Sequence, residues 1–200
     1  MSTRKCFLLF QANPIIAAVR NPKDIYDAVE SEAEVIFLLG GNIYNLKKMV
    51  DFISQSGKHA FVHLDLLKGY AQDNYFIKYL KEEINPTGVI STRNSLVAKA
   101  KQEGLMTVQR LFLLDSSAMD TTIQSARKIK PDAVEVLPGL VPKIIHRVKD
   151  ELAIPIITGG FIETEEEVQS CINAGAIAAS TSRKPLWNAL SHIEKSTEEV

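Results

Sequence analysis

Cysteines are scarce in this sequence, and long apolar runs are missing from it. The two cysteines among the 200 residues, Cys6 and Cys171, form no CxxC pair and no framework spacing. This pattern excludes a disulfide-stabilised scaffold and predicts free thiols in a reducing compartment. The apolar run near the N-terminus, residues 6–10, is too short for a signal peptide or a membrane span. We therefore expect a cytoplasmic protein with no membrane segment.

An excess of charge of one sign is also missing. The chain has 23 basic and 24 acidic residues, a net charge of −1, so global charge gives no reason to expect nucleic acid or a membrane surface. HExxH, CxxC and His-rich clusters are absent from the sequence, and we predict neither a metal nor a cofactor. No predicted strand ends in a lysine set among acids, which a Schiff-base barrel would need. We therefore predict no catalytic residues.

What the sequence does contain is a regular alternation of short apolar runs and amphipathic segments, with a period of about 20–25 residues. Each apolar run predicts a buried parallel strand, and each following segment predicts a helix. The predicted strands are residues 15–19, 35–39, 59–64, 88–92, 107–114, 133–137, 154–158 and 176–180. Eight such units favour a closed (β/α)8 TIM-type barrel, an α/β fold, over an open sheet of five or six strands. We expect one domain over residues 1–200, with a frayed polar tail at 194–200.

Two motifs follow the last two predicted strands. Gly159 and Gly160 come after strand seven, and Ser180, Thr181 and Ser182 come at the end of strand eight. Loops at these two positions bind phosphate in many barrels. Glycines let backbone N–H groups approach an oxyanion, hydroxyls add donors, and a following helix N-terminus adds partial positive charge. The pair of motifs predicts a phosphate site, and the alternative is a tight turn followed by a helix cap.

Polar residues also interrupt the apolar strands. His63 and Asp65 alternate with apolar neighbours and so share a face, while Arg110 and Glu135 each stand between apolar residues. Unpaired charges in a barrel interior are costly, so these groups should pair with each other or with a ligand. They are candidates for contacting the hydroxyls of a small phosphorylated polyol. The alternatives are a satisfied structural network and, on weaker grounds, a divalent cation held by the two acids.

Basic residues cluster after predicted strand ends, at the expected barrel mouth. They are Arg20, Lys68, Arg93, Arg183 and Lys184. This local bias in a neutral chain fits an anionic ligand or a polyanionic partner. The alternative is ordinary solvated loop charge.

Several longer strings resemble the glycerol uptake operon antiterminator regulatory family. They are NPIIAAVRNPKD, FVHLDLLKGY, GVISTRNSLVAKAKQEGLMTVQRLFLLDSSA, PDAVEVLPGLVPKII, PIITGGFIETEEEV and AGAIAASTSRKPLW, and the resemblance covers about residues 13–190. It implies a barrel that senses the effector glycerol 3-phosphate, binds the leader mRNA of a glycerol-metabolism operon and prevents premature termination of transcription.

The resemblance also implies roles for the residues singled out above. The phosphate site falls on Gly159, Gly160, Ser180, Thr181 and Ser182, and the polyol contacts fall on His63, Asp65, Arg110 and Glu135. Candidates for RNA contacts are the basic residues near the mouth, namely Arg20, Arg93, Lys143, Arg147, Arg183 and Lys184. Two other functions stay open, an enzyme acting on a small phosphorylated triose or polyol and a metabolite-binding barrel that acts through a protein partner. A homodimer is the expected oligomeric state.

Overall fold

The predicted barrel is confirmed by a computed structural model, which describes residues 3–71, 73–113 and 115–195. All eight strands are parallel, each pairs with the next in the chain, and β8 pairs with β1 to close the barrel. The strands are Ile15–Val19 (β1), Val35–Leu38 (β2), His59–His63 (β3), Gly88–Ser91 (β4), Met106–Phe112 (β5), Ala133–Leu137 (β6), Ile156–Gly159 (β7) and Ala178–Thr181 (β8). Leu114, the predicted end of strand five, lies outside the described residues.

Helices precede β1 and connect the strands. The α-helices are Thr3–Ala12 (α1), Ile25–Glu30 (α2), Ile43–Gln55 (α3), Asn74–Tyr79 (α4), Asn94–Gln102 (α5), Ser116–Ile129 (α6), Pro142–Glu151 (α7) and Glu165–Asn173 (α8). Shorter turns are the 3-10 segments Pro22–Asp24, Leu64–Leu66, Lys184–Asn188 and Leu190–His192 and the π-helical turn Leu80–Ile84. Each α-helix of the described residues is too short or too polar to span a bilayer.

Side-chain caps decide where several helices begin. The Asn42 side chain accepts from the N–H groups of Tyr44 and Asn45, and Thr164 accepts from Glu167 N–H, each within a capping box. Asp115 caps α6 by accepting from Ala118 N–H at 2.8 Å. These caps satisfy N–H groups that the helix itself leaves free. The first turns of α3, α6 and α8 are thereby held at the mouth end of the barrel.

The first residues of β7 and β8 lie two positions later in the chain than the sequence pattern predicted. Pro155 has no N–H to donate to a ladder, although its carbonyl accepts from Val134 N–H at 2.9 Å. The strand therefore starts at Ile156 and ends at Gly159, and β8 correspondingly extends to Thr181. As a consequence Gly159, Ser180 and Thr181 are strand residues, and only Gly160 and Ser182 belong to the loops.

The interior contains two apolar clusters, one between the strands and the helices and one inside the barrel. The inner cluster includes Phe37 and Phe61, and it is closed at the amino ends of the strands by α1. Phe10 of α1 lies 5.2 Å from Phe61 and 6.2 Å from Phe37 between ring centroids. Helix α1 was not predicted from the sequence, although its buried residues Phe7 and Phe10 have helical spacing. Burial of each ring contributes about 2–3 kcal/mol to folding.

The two cysteines and the C-terminal tail complete the fold. Cys6 on α1 and Cys171 on α8 are buried free thiols, and burial raises the pKa of both. The predicted frayed tail is anchored at its start, because Glu194 N–H donates to Gln169 Oε1 of α8 at 2.8 Å. Residues 196–200 of the tail lie outside the described part of the chain.

Candidate functional site

The carboxyl ends of the strands form a polar layer above the apolar interior of the barrel. On four strands a polar residue comes two positions after an apolar residue of the inner cluster, so both point into the barrel. These polar residues are His63, Arg110, Glu135 and Ser180. The barrel interior therefore changes from apolar to polar one layer below the mouth.

The centre of this layer is an ion pair between neighbouring strands. Arg110 and Glu135 are register partners on β5 and β6, and Arg110 Nε donates to Glu135 Oε2 at 2.6 Å. Ser180 Oγ of β8 donates to Glu135 Oε1 at 2.6 Å, so both oxygens of this fully buried carboxylate have partners. The expected pairing of the interior charges is confirmed for these two residues. Among the described residues, no acceptor is hydrogen-bonded to the terminal guanidinium nitrogens of Arg110.

Gly159 makes room for this network. A Cβ atom at Gly159 would lie 2.6 Å from Ser180 Oγ and 2.7 Å from Glu135 Oε1, closer than real contacts allow. Any side chain here would have to displace a buried, charge-assisted hydrogen bond. The structure thus gives Gly159 a packing role in addition to the phosphate-binding role predicted from the sequence.

The loop after β7 has an unusual backbone. Gly160 has φ +81° and the next residue, Phe161, has φ +62°, a left-handed conformation that costs a non-glycine residue energy. Within the described parts of the chain, the backbone N–H groups of Phe161 and Ser182 form no hydrogen bond, whereas the pairing of Gly159 with Ser180 directs the Gly160 N–H toward β8. These residues all line the mouth cavity. Free N–H groups in a turn of this kind are suited to binding an anion.

The hydroxyl groups predicted to bind phosphate are partly occupied. Thr181 Oγ1 donates to Ile162 O at 2.7 Å and accepts from Arg183 N–H at 3.0 Å, which ties the β7 and β8 loops together. Ser180 Oγ is used by Glu135, whereas Ser182 is exposed at the cavity wall. The helix predicted after β8 is a 3-10 segment, Lys184–Asn188, whose short length gives only a small dipole. Backbone N–H groups are therefore the main donors available here.

These elements enclose a cavity of about 540 Å³ at the barrel mouth. Its wall carries three arginines and two glutamates, namely Arg20, Arg110, Arg183, Glu135 and Glu163. Because Glu135 is neutralised by Arg110, the remaining wall has an excess of positive charge. A small anionic ligand fits both the size and the charge of this cavity.

His63 lies in the same polar layer, is not among the residues that line the cavity, and has no hydrogen-bond partner among the described residues. Its side chain is buried, neither ring nitrogen is hydrogen-bonded among the described residues, and the nearest carboxylate atom, Asp65 Oδ2, is 3.8 Å from Nδ1. Burial lowers the pKa of His63 to about 4, with the Arg110 guanidinium adding to the effect and Asp65 opposing it. The imidazole is therefore neutral at pH 7. An unsatisfied buried ring of this kind can accept or donate a hydrogen bond to a ligand.

Asp65 is placed differently from the sequence expectation. The strand ends at His63, and the 3-10 turn Leu64–Leu66 carries Asp65 away from the cavity wall. Its carboxylate accepts from Ser91 Oγ at 3.1 Å and Thr92 N–H at 2.7 Å, and it lies 3.4 Å from Arg93 Nε. Asp65 thus fixes the loop between β4 and α5. The alternation that placed it beside His63 stops where the strand stops.

The candidate RNA-binding residues fall into two groups. Lys184 is held by Asp24 at 2.5 Å and Asp27 at 2.6 Å. Arg147 is held by Asp120 at 2.6 Å, and Arg93 by Asp65. Three exposed members of the set make no ion pair with any residue that the structure describes, and these are Arg20, Lys143 and Arg183. The free cations are thus on the mouth side of β1, β6 and β8.

The cavity wall also includes residues that were not predicted from the sequence, among them the aromatic ring of Phe161 and the carboxylate of Glu163. Both follow the Gly159–Gly160 turn, and their position depends on the left-handed backbone at residues 160 and 161. Their position in the sequence directly after the two glycines was the signal that could have identified them as site residues. No group of three or more His, Cys, Asp or Glu side chains within residues 3–71, 73–113 and 115–195 could hold a metal ion.

Comparison with known proteins identifies relatives over most of the chain. The sequence profile of the family described as glycerol-3-phosphate responsive antiterminator matches residues 15–187. The protein YgcP of Escherichia coli K12 is 36% identical over 179 residues, which cover 90% of this chain and 94% of YgcP.

Two solved structures are similar in both sequence and fold. The glycerol uptake operon antiterminator regulatory protein of Listeria monocytogenes is 40% identical with a TM-score of 0.83, covering 86% of this chain and 94% of that one. A glycerol uptake operon antiterminator-related protein of Thermotoga maritima is 33% identical with a TM-score of 0.78, covering 88% and 98% of the two chains.

Proposed function

Because this chain belongs to the glycerol-3-phosphate responsive antiterminator family, we propose that it binds glycerol 3-phosphate and, in response, the leader mRNA of a glycerol-metabolism operon. Binding to the leader would prevent premature termination of transcription, in the cytoplasm where the transcript is made. The observation that carries the proposal is the family match over residues 15–187, together with a cationic cavity at the carboxyl ends of the strands. Barrels of this type place their ligand sites at that end.

The phosphate of the effector would lie against the loops after β7 and β8. The unpaired N–H groups of Phe161 and Ser182 would supply donors, and the exposed side chains of Arg20 and Arg183 would supply positive charge. Gly159, Ser180 and Thr181 would support this site from below, because the hydroxyls of the latter two already have partners. Donors fixed on the backbone bind an oxyanion without losing side-chain entropy.

The glycerol end of the effector would point into the polar layer. The terminal nitrogens of Arg110 and the ring nitrogens of His63 are the groups with free hydrogen-bonding capacity there. Glu135 would act by orienting Arg110, and Asp65 by fixing the loop next to His63. Burial without partners is costly for such groups, so hydroxyl groups of a ligand would be favoured at this depth.

An enzyme on a small phosphorylated triose or polyol is the alternative function. The buried carboxylate in the cavity wall, Glu135, is already bonded by Arg110 and Ser180, the other wall carboxylate, Glu163, is exposed to solvent, and the wall residues include no lysine. A general base needs a free oxygen near the substrate. We therefore propose a regulator rather than an enzyme. Turnover of glycerol 3-phosphate or dihydroxyacetone phosphate by the purified protein, with or without Mg²⁺, would contradict this proposal.

A filter-binding assay tests the proposed function. Labelled leader transcript is titrated with the protein in the presence and absence of glycerol 3-phosphate, with glycerol and inorganic phosphate as separate controls. We expect glycerol 3-phosphate to increase the affinity for RNA. Neither glycerol nor inorganic phosphate should do so at the same concentration. Equal RNA affinity with and without glycerol 3-phosphate would contradict the proposal that effector binding controls RNA binding. Sedimentation of the protein alone would test the expected homodimer, and a single cooperative unfolding transition in urea would test the single-domain assignment of residues 1–200.

A further inference from the structure

Exposed aromatic rings are concentrated at the mouth of the barrel. Tyr44 is 90% exposed, Tyr75 84%, Phe161 79% and Phe112 48%. Large apolar side chains usually avoid water, and a set of them on one face marks a surface that binds something. Of the described residues, most large exposed apolar side chains lie at this end of the molecule.

The four rings follow four different strands. Tyr44 and Tyr75 are the second residues of α3 and α4, in the first helical turns after β2 and β3. Phe112 is the last residue of β5, two positions after Arg110 and therefore on the interior side of its strand. Phe161 comes two residues after the end of β7. The carboxyl ends of all strands lie at the mouth, so the four rings lie at this end of the barrel, and Phe161 lines the cavity itself.

Local structure gives no stabilising reason for these rings. Tyr44 and Tyr75 leave most of their surface in water, and a smaller polar residue would serve the first turn of each helix equally well. Phe161 is both exposed and held at φ +62°, a conformation that disfavours a bulky side chain. Strain together with exposure at the edge of a binding cavity is typical of a functional residue.

Unpaired positive charge lies between the rings. Arg20 follows β1 and Arg183 follows β8, both are exposed, and neither forms an ion pair within the part of the chain that the structure describes. The nearby acids Asp24 and Asp27 share the single cation of Lys184 and keep one net negative charge, and Glu163 is the acidic group of the cavity wall without an ion-pair partner among the described residues. Exposed aromatic rings together with free arginines are the combination that binds unpaired nucleotides, since bases stack on rings and phosphates attract the cations.

We propose that the mouth of the barrel is a binding surface for single-stranded RNA. This rim surface consists of Tyr44, Tyr75, Phe112, Phe161, Arg20 and Arg183. The inference rests on the proposed function for the identity of the polyanion as RNA. Single-stranded RNA is favoured over a duplex because paired bases are stacked on each other and offer no free face to a protein ring. Arg20 and Arg183 alone would not distinguish single-stranded RNA from a duplex, because both carry phosphates.

Phe161 joins this surface to the effector site. Its backbone N–H is one of the free donors of the cavity, and its ring is part of the rim surface. A phosphate bound at that N–H fixes the backbone that carries the ring. The effector thus prepares one of the stacking groups for RNA, and binding of the two ligands becomes cooperative.

The test compares rim variants with a matched control on the same helix. Tyr44→Ala, Tyr75→Ala and Phe161→Leu remove an aromatic face, whereas Tyr79→Ala removes a 40% exposed tyrosine one turn further along α4. Binding of fluorescent leader RNA is measured by anisotropy, and the same strand annealed to its complement is the second probe. We expect each rim variant to weaken single-strand binding about 5- to 100-fold, and Tyr79→Ala to leave it unchanged. We expect Tyr44→Phe to retain affinity.

The outcomes separate this inference from the proposed function. Rim variants that bind the single strand as tightly as the wild type would overturn the inference, and effector-dependent binding by the wild type would still support the proposed function. Equal affinity for the annealed duplex would also overturn it. Rim variants that change the sedimentation of the protein without changing RNA affinity would assign the surface to a second copy of the chain and refute the RNA role. A wild type that binds no RNA would remove the proposed function together with the inference.

Discussion

Arg110 and Glu135 form a buried ion pair across β5 and β6, with Nε and Oε2 2.6 Å apart. Both residues are close to fully buried, and Ser180 satisfies the second carboxylate oxygen. The pair divides the barrel interior, with apolar rings below it and the mouth cavity above it. Its two members therefore serve folding and, in our proposal, recognition of the effector.

Replacing one member of this ion pair should lower the free energy of unfolding far more than replacing both members together. Glu135→Gln leaves the Arg110 charge buried without a counter-ion, and we expect a loss of about 3–5 kcal/mol in the free energy of unfolding. The double variant Arg110→Gln, Glu135→Gln should recover most of that loss. Urea denaturation of the wild type, both single variants and the double variant measures the coupling. The exposed ion pair of Lys47 and Asp51 is the control, and we expect its coupling free energy to be below about 1 kcal/mol. Additive effects at Arg110 and Glu135 would contradict the structure.

His63 should make the stability of the protein fall in mild acid. Its pKa is lowered from 6.5 to about 4 by burial, so the unfolded chain binds more protons than the folded one between these values. The contribution of neutral His63 to the free energy of unfolding is complete above pH 6.5. It decreases by up to about 3 kcal/mol as the pH falls toward 4. We expect His63→Gln to flatten this part of the stability profile measured by urea denaturation. The lowered pKa of His59 acts in the same direction and leaves a smaller residual slope.

His146→Gln is the matched control, since that side chain is exposed on α7. It should leave the pH profile as in the wild type. A profile of His63→Gln with the same slope as the wild type would show that His63 is accessible to protons in the folded protein.

Gly160→Asp should abolish effector binding without unfolding the protein. The substitution places a carboxylate next to the proposed phosphate site, where it repels the ligand. Gly57→Asp is a matched control, because Gly57 has φ +77°, close to the +81° of Gly160, and lies away from the mouth with open space around it. Both variants should lose similar stability from the strained backbone. Thermal shift with glycerol 3-phosphate should be lost only in Gly160→Asp, and equal shifts in both variants would place the ligand elsewhere.

Arg20 and Arg183 should contribute phosphate contacts to RNA binding. We expect Arg20→Gln and Arg183→Gln each to weaken binding of the leader transcript, and to reduce the slope of log K against log salt concentration by about 0.7. Lys184→Gln removes a lysine already paired with two aspartates and should change the slope less. Titrations at several salt concentrations give the three slopes. A larger effect at Lys184 than at Arg20 and Arg183 would reverse our assignment of free and paired cations.

The repeating pattern of the chain was sufficient to predict the barrel, because a strand buried on both faces must be continuously apolar and each helix must cover it with one face. The glycine pair and the Ser-Thr-Ser sequence were located correctly at the mouth for a similar reason, since strand ends are marked by polar and small residues. The start of β7 was misplaced because Ile154 continues the apolar run, whereas pairing requires the N–H that Pro155 lacks.

Other features depend on contacts that one sequence does not display. The partner of Glu135 is set by the register between β5 and β6 and by the space left at Gly159. The placement of Asp65 depends on a 3-10 turn that begins directly after His63. The exposed rings of the rim surface stand far apart in the sequence, and only the closed barrel brings the first turns of α3 and α4 and the β7 loop to the same end of the molecule.

Transcription read-through on a template that carries the operon leader and its terminator tests the central claim most directly. Purified polymerase transcribes the template with the wild-type protein, with Gly160→Asp and with no protein, each in the presence and absence of glycerol 3-phosphate. Our account predicts that read-through rises only when the wild-type protein and glycerol 3-phosphate are both present. Read-through that is unchanged by the wild-type protein, or increased to the same extent without glycerol 3-phosphate, would contradict it.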